Sequence, residues 1–412
     1  MLRFSMAIAV VILTAFQAHG RLLYVNAEFN EGNGNGDHDA PFSDLQYALD
    51  QALDGDTLLL APGIYSARSE PFTEELCGNC LEHKTTVYAS RGFLIEGKTV
   101  HIVGSGTDST TLITNAGYGV LFLNSRGSKI ERLAITGGKR DPDGNATDAA
   151  VVAKFSTVTI QQVKIRDNTD RIDTVVMGIG GVFGRENSEL FVFECEIVNN
   201  GWDGIALYRG ASAYAADNVI AKGRGAGIGI TWDATAIVLR NRISDYWKGI
   251  GTFGASRAIV SNNLVNNCLG WGIIATGESY LDAANNNVIH NGNCGLAIWS
   301  EECRGRFVNN IVAYNGWKDK WVAPQVGLWN NGNPDNFIIS HNDVWGNLMG
   351  NYKDMDDLTG VSGNISEDPG FVSDRDFHLL EESPCRDAGS PSLSEGDGSI
   401  SDMGMYGGPG AR

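Results

Sequence analysis

The chain has 412 residues, a formal net charge of −18 and 52 glycines against 10 prolines. So acidic a balance argues against general nucleic-acid or anionic-membrane binding, and the composition is not that of a disordered, low-complexity chain. The length would ordinarily mean two or three domains, unless a repeat builds one elongated domain by adding turns.

Residues 1–20 read as a signal peptide: Arg3 at the start, an apolar run over 7–16, then Ala18-His19-Gly20 as a small-x-small cleavage site. The mature chain is therefore expected to be secreted or periplasmic. No later apolar run approaches a membrane span, so no membrane insertion is expected. Seven cysteines in an exported chain permit disulfides, with Cys77/Cys80 and Cys294/Cys303 the nearest pairs. Cys77/Cys80 lacks the second pair that a zinc site needs.

Residues 21–64 open the domain. A strand at 22–26 is followed by a polar loop, and Ser43-Asp44-Leu45-Gln46 has capping-box spacing. Leu45, Ala48, Leu49, Ala52 and Leu53 fall on one helical face. Asp54-Gly55 ends the helix, and a strand at 57–61 closes at Pro62-Gly63. Such a helix is suited to cap the first coil of a stack, whose open edge would otherwise invite aggregation.

Residues 65–348 carry the coils. Excursions are expected at 66–91, 139–148 and 169–180, and short apolar runs between them mark early coils. From Gly181 the pattern becomes regular. Gly181, Gly204, Gly227, Gly249, Gly272, Gly295 and Gly327 recur at 22 or 23 residues, with one step of 32. Asn218, Asn241, Asn263, Asn287, Asn310 and Asn342 drift with them and take the same long step, which places an insertion near 317–325. Apolar residues alternate within each unit, as in Ile205/Leu207 and Ile228/Ile230, which is a strand signature. Each unit holds about three short strands, and only stacking can bury its apolar face. The fold expected is all-β, a single-stranded parallel β-helix with coils about 4.8 Å apart, an asparagine ladder in one bend and an N-terminal capping helix. Residues 349–412 lose the period and form an acidic closing segment.

The order YVNA, DLQYALDQALDGDTLLLAPGIY, then HIVGSG resembles the opening segment of secreted right-handed parallel β-helix proteins of the pectate-lyase-like superfamily. The tail, with DPGF, FHLLEESPCRDAGSP and DMGMYGG, resembles the closing segment of bacterial secreted β-helix proteins. The resemblance implies a right-handed coil and, among its members, pectate lyases, alginate lyases, uronan epimerases and polygalacturonases. No catalytic motif of these groups matches locally, so no family residue is carried over.

Strand alternation proposes a working face. Two residues after each marker glycine come Phe183, Ala206, Gly229, Gly251, Ile274, Ala297 and Trp329; four after come Arg185, Tyr208, Thr231, Phe253, Thr276, Trp299 and Asn331, with Lys154 preceding them. Aromatic rings suit sugar faces, so Phe183, Trp232, Asp233, Phe253, Trp299, Glu301 and Trp329 are the expected polysaccharide-binding residues. Lys154, Arg185, Tyr208 and Arg209 form the candidate catalytic cluster. β-Elimination of a uronate needs a cation to neutralise the carboxylate, a base for the α-proton and an acid for the leaving oxygen. Asp141, Asp143, Asn145 and Asp148 place oxygen ligands around Gly144 and are a candidate Ca²⁺ loop. The function expected is a lyase or epimerase on an acidic polysaccharide. The alternatives are a non-catalytic carbohydrate-binding or surface-adhesive β-helix, and a polygalacturonase-type hydrolase with paired carboxylates.

Overall fold

The computed structural model describes residues 20–32, 34–75, 86–172, 175–319 and 322–411. The expected signal peptide, apart from Gly20, and the Cys77/Cys80 pair lie outside them. Coils stack as parallel strands. One coil is built from Ile205–Leu207, Ser212–Ala216 and Val219–Ala221. The next coil repeats it one layer on, with Ile205 beside Ile228, Ala213 beside Ala236 and Ile220 beside Ile243. A 12-stranded sheet, from Glu70–Glu74 to Tyr352–Lys353, forms the first wall. A 21-stranded sheet forms the rest, and two of its strands, Arg126–Thr136 and Thr157–Arg166, turn within themselves at Arg132 and Gln162, both at positive φ.

The interior is a column of aliphatic rows. Ile205, Ile228, Ile250, Ile273, Leu296 and Leu328 stack from coil to coil and are almost fully buried. The marker glycines exist because coils approach closely there. A Cβ on Gly249 would lie 2.5 Å from the Gly272 carbonyl oxygen and 2.2 Å from Val265 Cγ1, and Gly204, Gly227, Gly272 and Gly295 meet equivalent neighbours. Their φ angles are ordinary, so space selects glycine here, not backbone freedom.

The asparagine ladder is present with one correction. Its members are Asn218, Asn241, Asn263, Asn286, Asn310, Asn342 and Asn364, so Asn286 replaces the expected Asn287. Each Oδ1 accepts from the preceding member's backbone and side-chain N–H, and each Nδ2 also reaches a carbonyl of the coil before, as Asn263 does to Val238 at 2.9 Å. Asn287 instead accepts from the Met405 backbone, which belongs to the tail. A second ladder was not foreseen: Asn291, Asn315 and Asn347 join in the same way at 2.9–3.0 Å. Tyr246 occupies the equivalent bend lower down; its ring lies where Gly223 would place a Cβ.

The capping helix α1 spans Leu45–Gln51 and buries Leu45, Ala48 and Leu49. Asp44, not Ser43, caps it through Tyr47 N–H at 2.7 Å, and Gln46 reaches the Leu94 backbone instead of closing a capping box. Leu53, expected on the apolar face, is 62% exposed because the helix ends before it. The first excursion is an antiparallel hairpin of Glu70–Glu74 with Val87–Glu96, laid on the first wall. The excursion at 169–180 is a small two-stranded ribbon, Thr169–Ile172 with Val175–Gly178. Cys195, Cys268, Cys294, Cys303 and Cys385 are buried free thiols, so Cys294 and Cys303 do not pair. No helix among the described residues is long and apolar enough to cross a membrane.

Candidate functional site

The first wall presents three outward rows. Register places Phe183, Ala206, Gly229, Gly251, Ile274, Ala297 and Trp329 side by side, and puts Lys154 beside Arg185 in the row that continues through Tyr208 and Phe253. The third row comes from a break in alternation. The marker glycine faces the interior, as does the residue after it, so the residue before it faces out. That row holds Ala149, Gly180, Asp203, Ala226, Lys248, Trp271 and Cys294.

The hairpin covers the early part of this face and corrects the expected catalytic cluster. Arg185 is fully buried. It donates to Glu74 Oε2 at 2.8 Å, Thr147 Oγ1 at 2.7 Å, Tyr118 OH at 3.0 Å and Glu186 Oε1 at 3.2 Å. Lys154 Nζ donates to Glu74 Oε1 at 2.5 Å and is 9% exposed. Burial would raise the Glu74 pKa, but Arg185 and Lys154 outweigh it and hold the carboxylate below its ordinary range. Lys154 and Arg185 thus anchor a strand and do not face an open groove. Phe183 is likewise buried, packed edge-on against Tyr208 at 5.7 Å.

Beyond the hairpin the face opens. Gly229 and Gly251 form a floor without side chains, flanked by the Asp203–Ala226–Lys248 row and the Tyr208–Thr231–Phe253 row, while Ala206 before them is fully buried in the cluster of Phe183 and Tyr208. The result is a shallow trough. Asp203 Oδ1 accepts the Ala226 N–H at 2.6 Å, and its other oxygen lies 3.6 Å from where Gly229 would carry a Cβ. Lys248 Cδ stands in the same relation to Gly251, also at 3.6 Å. Burial pushes the Asp203 carboxyl up to about 6, against the lowering pull of the Ala226 hydrogen bond and the Lys248 charge. Asp203 is the one acidic residue in the three rows among the described coils from Ala149 to Asn331.

Tyr208 is 7% exposed and borders a small cavity of ≈ 70 Å³ with Phe183, Thr147 and Asp148. Arg209 follows at positive φ, its guanidinium 5.0 Å over the Trp232 ring. Its Nε and Nη2 are buried with no hydrogen-bond partner among the described residues. Trp232 packs edge-on against Phe253, which is 46% exposed. Asp233 is exposed and accepts from the Gly210 N–H at 2.7 Å, so it serves a turn.

The far end is aromatic but partly covered. Trp247, Trp271, Trp299 and Trp329 form an edge-to-face chain with centroids 5.0–5.9 Å apart. Ala323 and Val326, from the inserted segment, pack onto Trp271 and Trp329. Trp329 is 7% exposed and donates to Asp354 at 2.9 Å. Trp299 is half-buried, and Glu301 is exposed at the rim.

In the loop at 139–148, Asp141 and Asp143 already have protein partners. Asp141 accepts from Ser90 Oγ at 2.6 Å and Ser90 N–H at 2.8 Å; Asp143 accepts from Tyr88 N–H and Asn145 N–H. These oxygens fasten the loop to the hairpin. Asp148 faces Asp141, and burial followed by the Asp141 charge raises its pKa well above the ordinary carboxylate range. No cluster of three acidic, histidine or cysteine ligands occurs among the described residues. Asp141 and Asp143 thus hold the loop to the hairpin, Asn145 donates its N–H to Asp143, and Asp148 accepts from the Asp141 N–H.

Asp203 and Lys248 were missed from sequence because strict alternation turns the residue before each marker glycine inward. The usable signal was the glycine pair Gly229/Gly251 in an outward row.

Residues 180–344 match the family described as right handed beta helix region. The crystal structure of pectate lyase Pel9A overlaps with a TM-score of 0.58 at 15% identity, covering 94% of this chain and 96% of that one. The A-module of mannuronan C-5 epimerase AlgE6 from Azotobacter vinelandii overlaps at 0.46 and 14% identity, over 84% and 100%. The lacto-N-biosidase from Eubacterium ramulus overlaps at 0.48 and 12%, over 87% and 68%. The last two overlaps are too loose to carry an argument, and the first is a likeness of fold. No curated protein matches the sequence. In fold, the chain is a right-handed parallel β-helix.

Proposed function

We propose that the trough binds a uronate-containing polysaccharide outside the cytoplasm and acts on it as a lyase or C5-epimerase. One observation carries this reading. A lone carboxyl with a raised pKa lies in the trough, with Lys248 on its row and, at its rim, the Arg209 guanidinium, whose Nε and Nη2 have no hydrogen-bond partner among the described residues. Arg209 and Lys248 neutralise the sugar carboxylate, which makes the C5 proton acidic. Asp203 takes that proton, since a group poised near 6 exchanges protons readily at neutral pH. In elimination the electron pair forms the C4–C5 double bond as the C4–oxygen bond breaks, and Tyr208 protonates the leaving oxygen. In epimerisation Asp203 keeps the proton it took, Tyr208 delivers its own proton to the opposite face of C5, and both groups re-equilibrate with water.

A hydrolase needs two carboxylates flanking one bond, and the trough supplies Asp203 alone. Trp232 and Phe253 give sugar rings an apolar surface, which also suits a binding module. The deciding assay incubates the protein with a panel of uronate polymers, reading unsaturated uronate by ultraviolet absorbance and C5 exchange by NMR in deuterated water. Asp203→Asn is expected to lose about 10²-fold or more of the rate. Full activity in that variant would overturn the assignment, and binding without either signal would leave a binding module.

A further inference from the structure

One bend of the helix, outside the trough, carries its own aromatic slot. Trp202, Gly225, Trp247 and Gly270 precede the residues Asp203, Ala226, Lys248 and Trp271, which sit in register on successive coils. They therefore occupy the same bend position, with tryptophan and glycine alternating. The tryptophans stand two coils apart, roughly 10 Å at backbone level given about 4.8 Å per strand. Gly225 lies between them and cannot carry a side chain, because a Cβ there would sit 1.8 Å from Asp203 Oδ1. Gly225 thus leaves the gap between the indoles free of a side chain.

The cavity at this edge measures ≈ 790 Å³ and is lined by Trp202, Trp247, Leu269, Lys222, Arg224 and Asp245, among others. That is within the size range of small-molecule sites. Leu269 is 38% exposed and Trp202 36%. The charges are cationic where the rings are. Arg224 lies 5.4 Å from the Trp202 ring, Arg140 5.6 Å from it, and Lys318 5.0 Å from the Trp247 ring. Asp245 is engaged with Ser244 Oγ and Asn267 Nδ2. On a chain of net charge −18, four cations around two indoles make a local inversion of sign.

We infer that this edge is a second saccharide site, which takes one or a few pyranose rings bearing a carboxylate or other anionic substituent. The indoles offer apolar faces for the C–H side of the ring, and Lys222 and Arg224 meet the anion. The site uses different residues from the trough, and its occupancy does not depend on any reaction there.

The test titrates the full-length protein with uronate oligosaccharides and with their carboxyl-reduced neutral counterparts, by calorimetry and tryptophan fluorescence. Wild type is expected to bind the uronate oligosaccharide at this edge with a fluorescence change, and the neutral form at least tenfold more weakly. The double variant Lys222→Glu/Arg224→Glu changes exposed side chains. It is expected to lose this binding tenfold or more while any turnover in the trough stays at the wild-type rate. Trp202→Ala should weaken the same binding. Asp203→Asn should abolish turnover and retain edge binding, so failure of the trough chemistry is read separately. Unchanged affinity in the double variant, or equal affinity for neutral and acidic sugars, would overturn the inference.

Discussion

Glu74 is the residue whose loss should be felt most. It lies in the hairpin strand, yet its carboxylate is the shared partner of Lys154 and Arg185, 80 and 111 residues further along the chain. Tyr118 OH also donates to it at 2.8 Å. Glu74→Gln keeps the shape but removes the charge, and turns one N–H₂ toward a cation. Breaking a buried pair in this way costs about 3–5 kcal/mol. The lower end is expected for Gln, because Arg185 keeps Glu186 and Thr147. A stacked-coil protein need not unfold in one step, so the readout is amide hydrogen exchange in Glu70–Glu74 and its partner strand. The folded pKa of Glu74 is lowered, so its contribution is present above the unfolded pKa and fades as pH falls through the folded one. Wild-type opening should therefore become easier in acid, and the variant should lack that dependence. Opening within about 1 kcal/mol of wild type, smaller than any buried-pair cost, would refute the argument, as would an unchanged acid profile.

Three further outcomes are expected. Gly249→Ala drives a Cβ against the Gly272 carbonyl and Val265 and should destabilise by about 2–3 kcal/mol, measured as a shift in urea midpoint. Tyr246→Phe removes a buried hydroxyl that has no hydrogen-bond partner among the described residues; it should leave stability unchanged or raise it by up to about 1 kcal/mol, and a loss above 1 would reveal a partner. Cys195, Cys268, Cys294, Cys303 and Cys385 are buried, and burial pushes their thiols up. They should resist thiol reagents in the native state and react only on unfolding.

The fold was readable because each coil repeats a steric demand. Gly204 or Gly249 is needed wherever a carbonyl of the next coil comes close, and that demand recurs with every turn. The ladder slipped by one residue at Asn286 because Asn285, Asn286 and Asn287 stand together, and sequence offers no way to choose among three asparagines. The second ladder was hidden because Gly223, Tyr246 and Cys268 occupy its lower bends. The site was less legible for two physical reasons. Glu74 meets Arg185 only through a hairpin folded across the wall, a contact with no periodicity. Asp203 and Lys248 face outward only because alternation breaks at the marker glycine, so a strict period of two turns them inward.

The C-terminal segment is more than a stopper. It runs back along the coils: Gly404 N–H reaches Asn309, Met405 reaches Asn287, Asn262 donates to Gly407, and Arg240 donates to Gly410. Apart from the hairpin contacts of Glu74, the strands of each layer pair only with the layers above and below, which lets a column fray from either end. A strap fastened across four storeys makes those storeys open together or not at all. The closing segment is thus what locks the middle of the building.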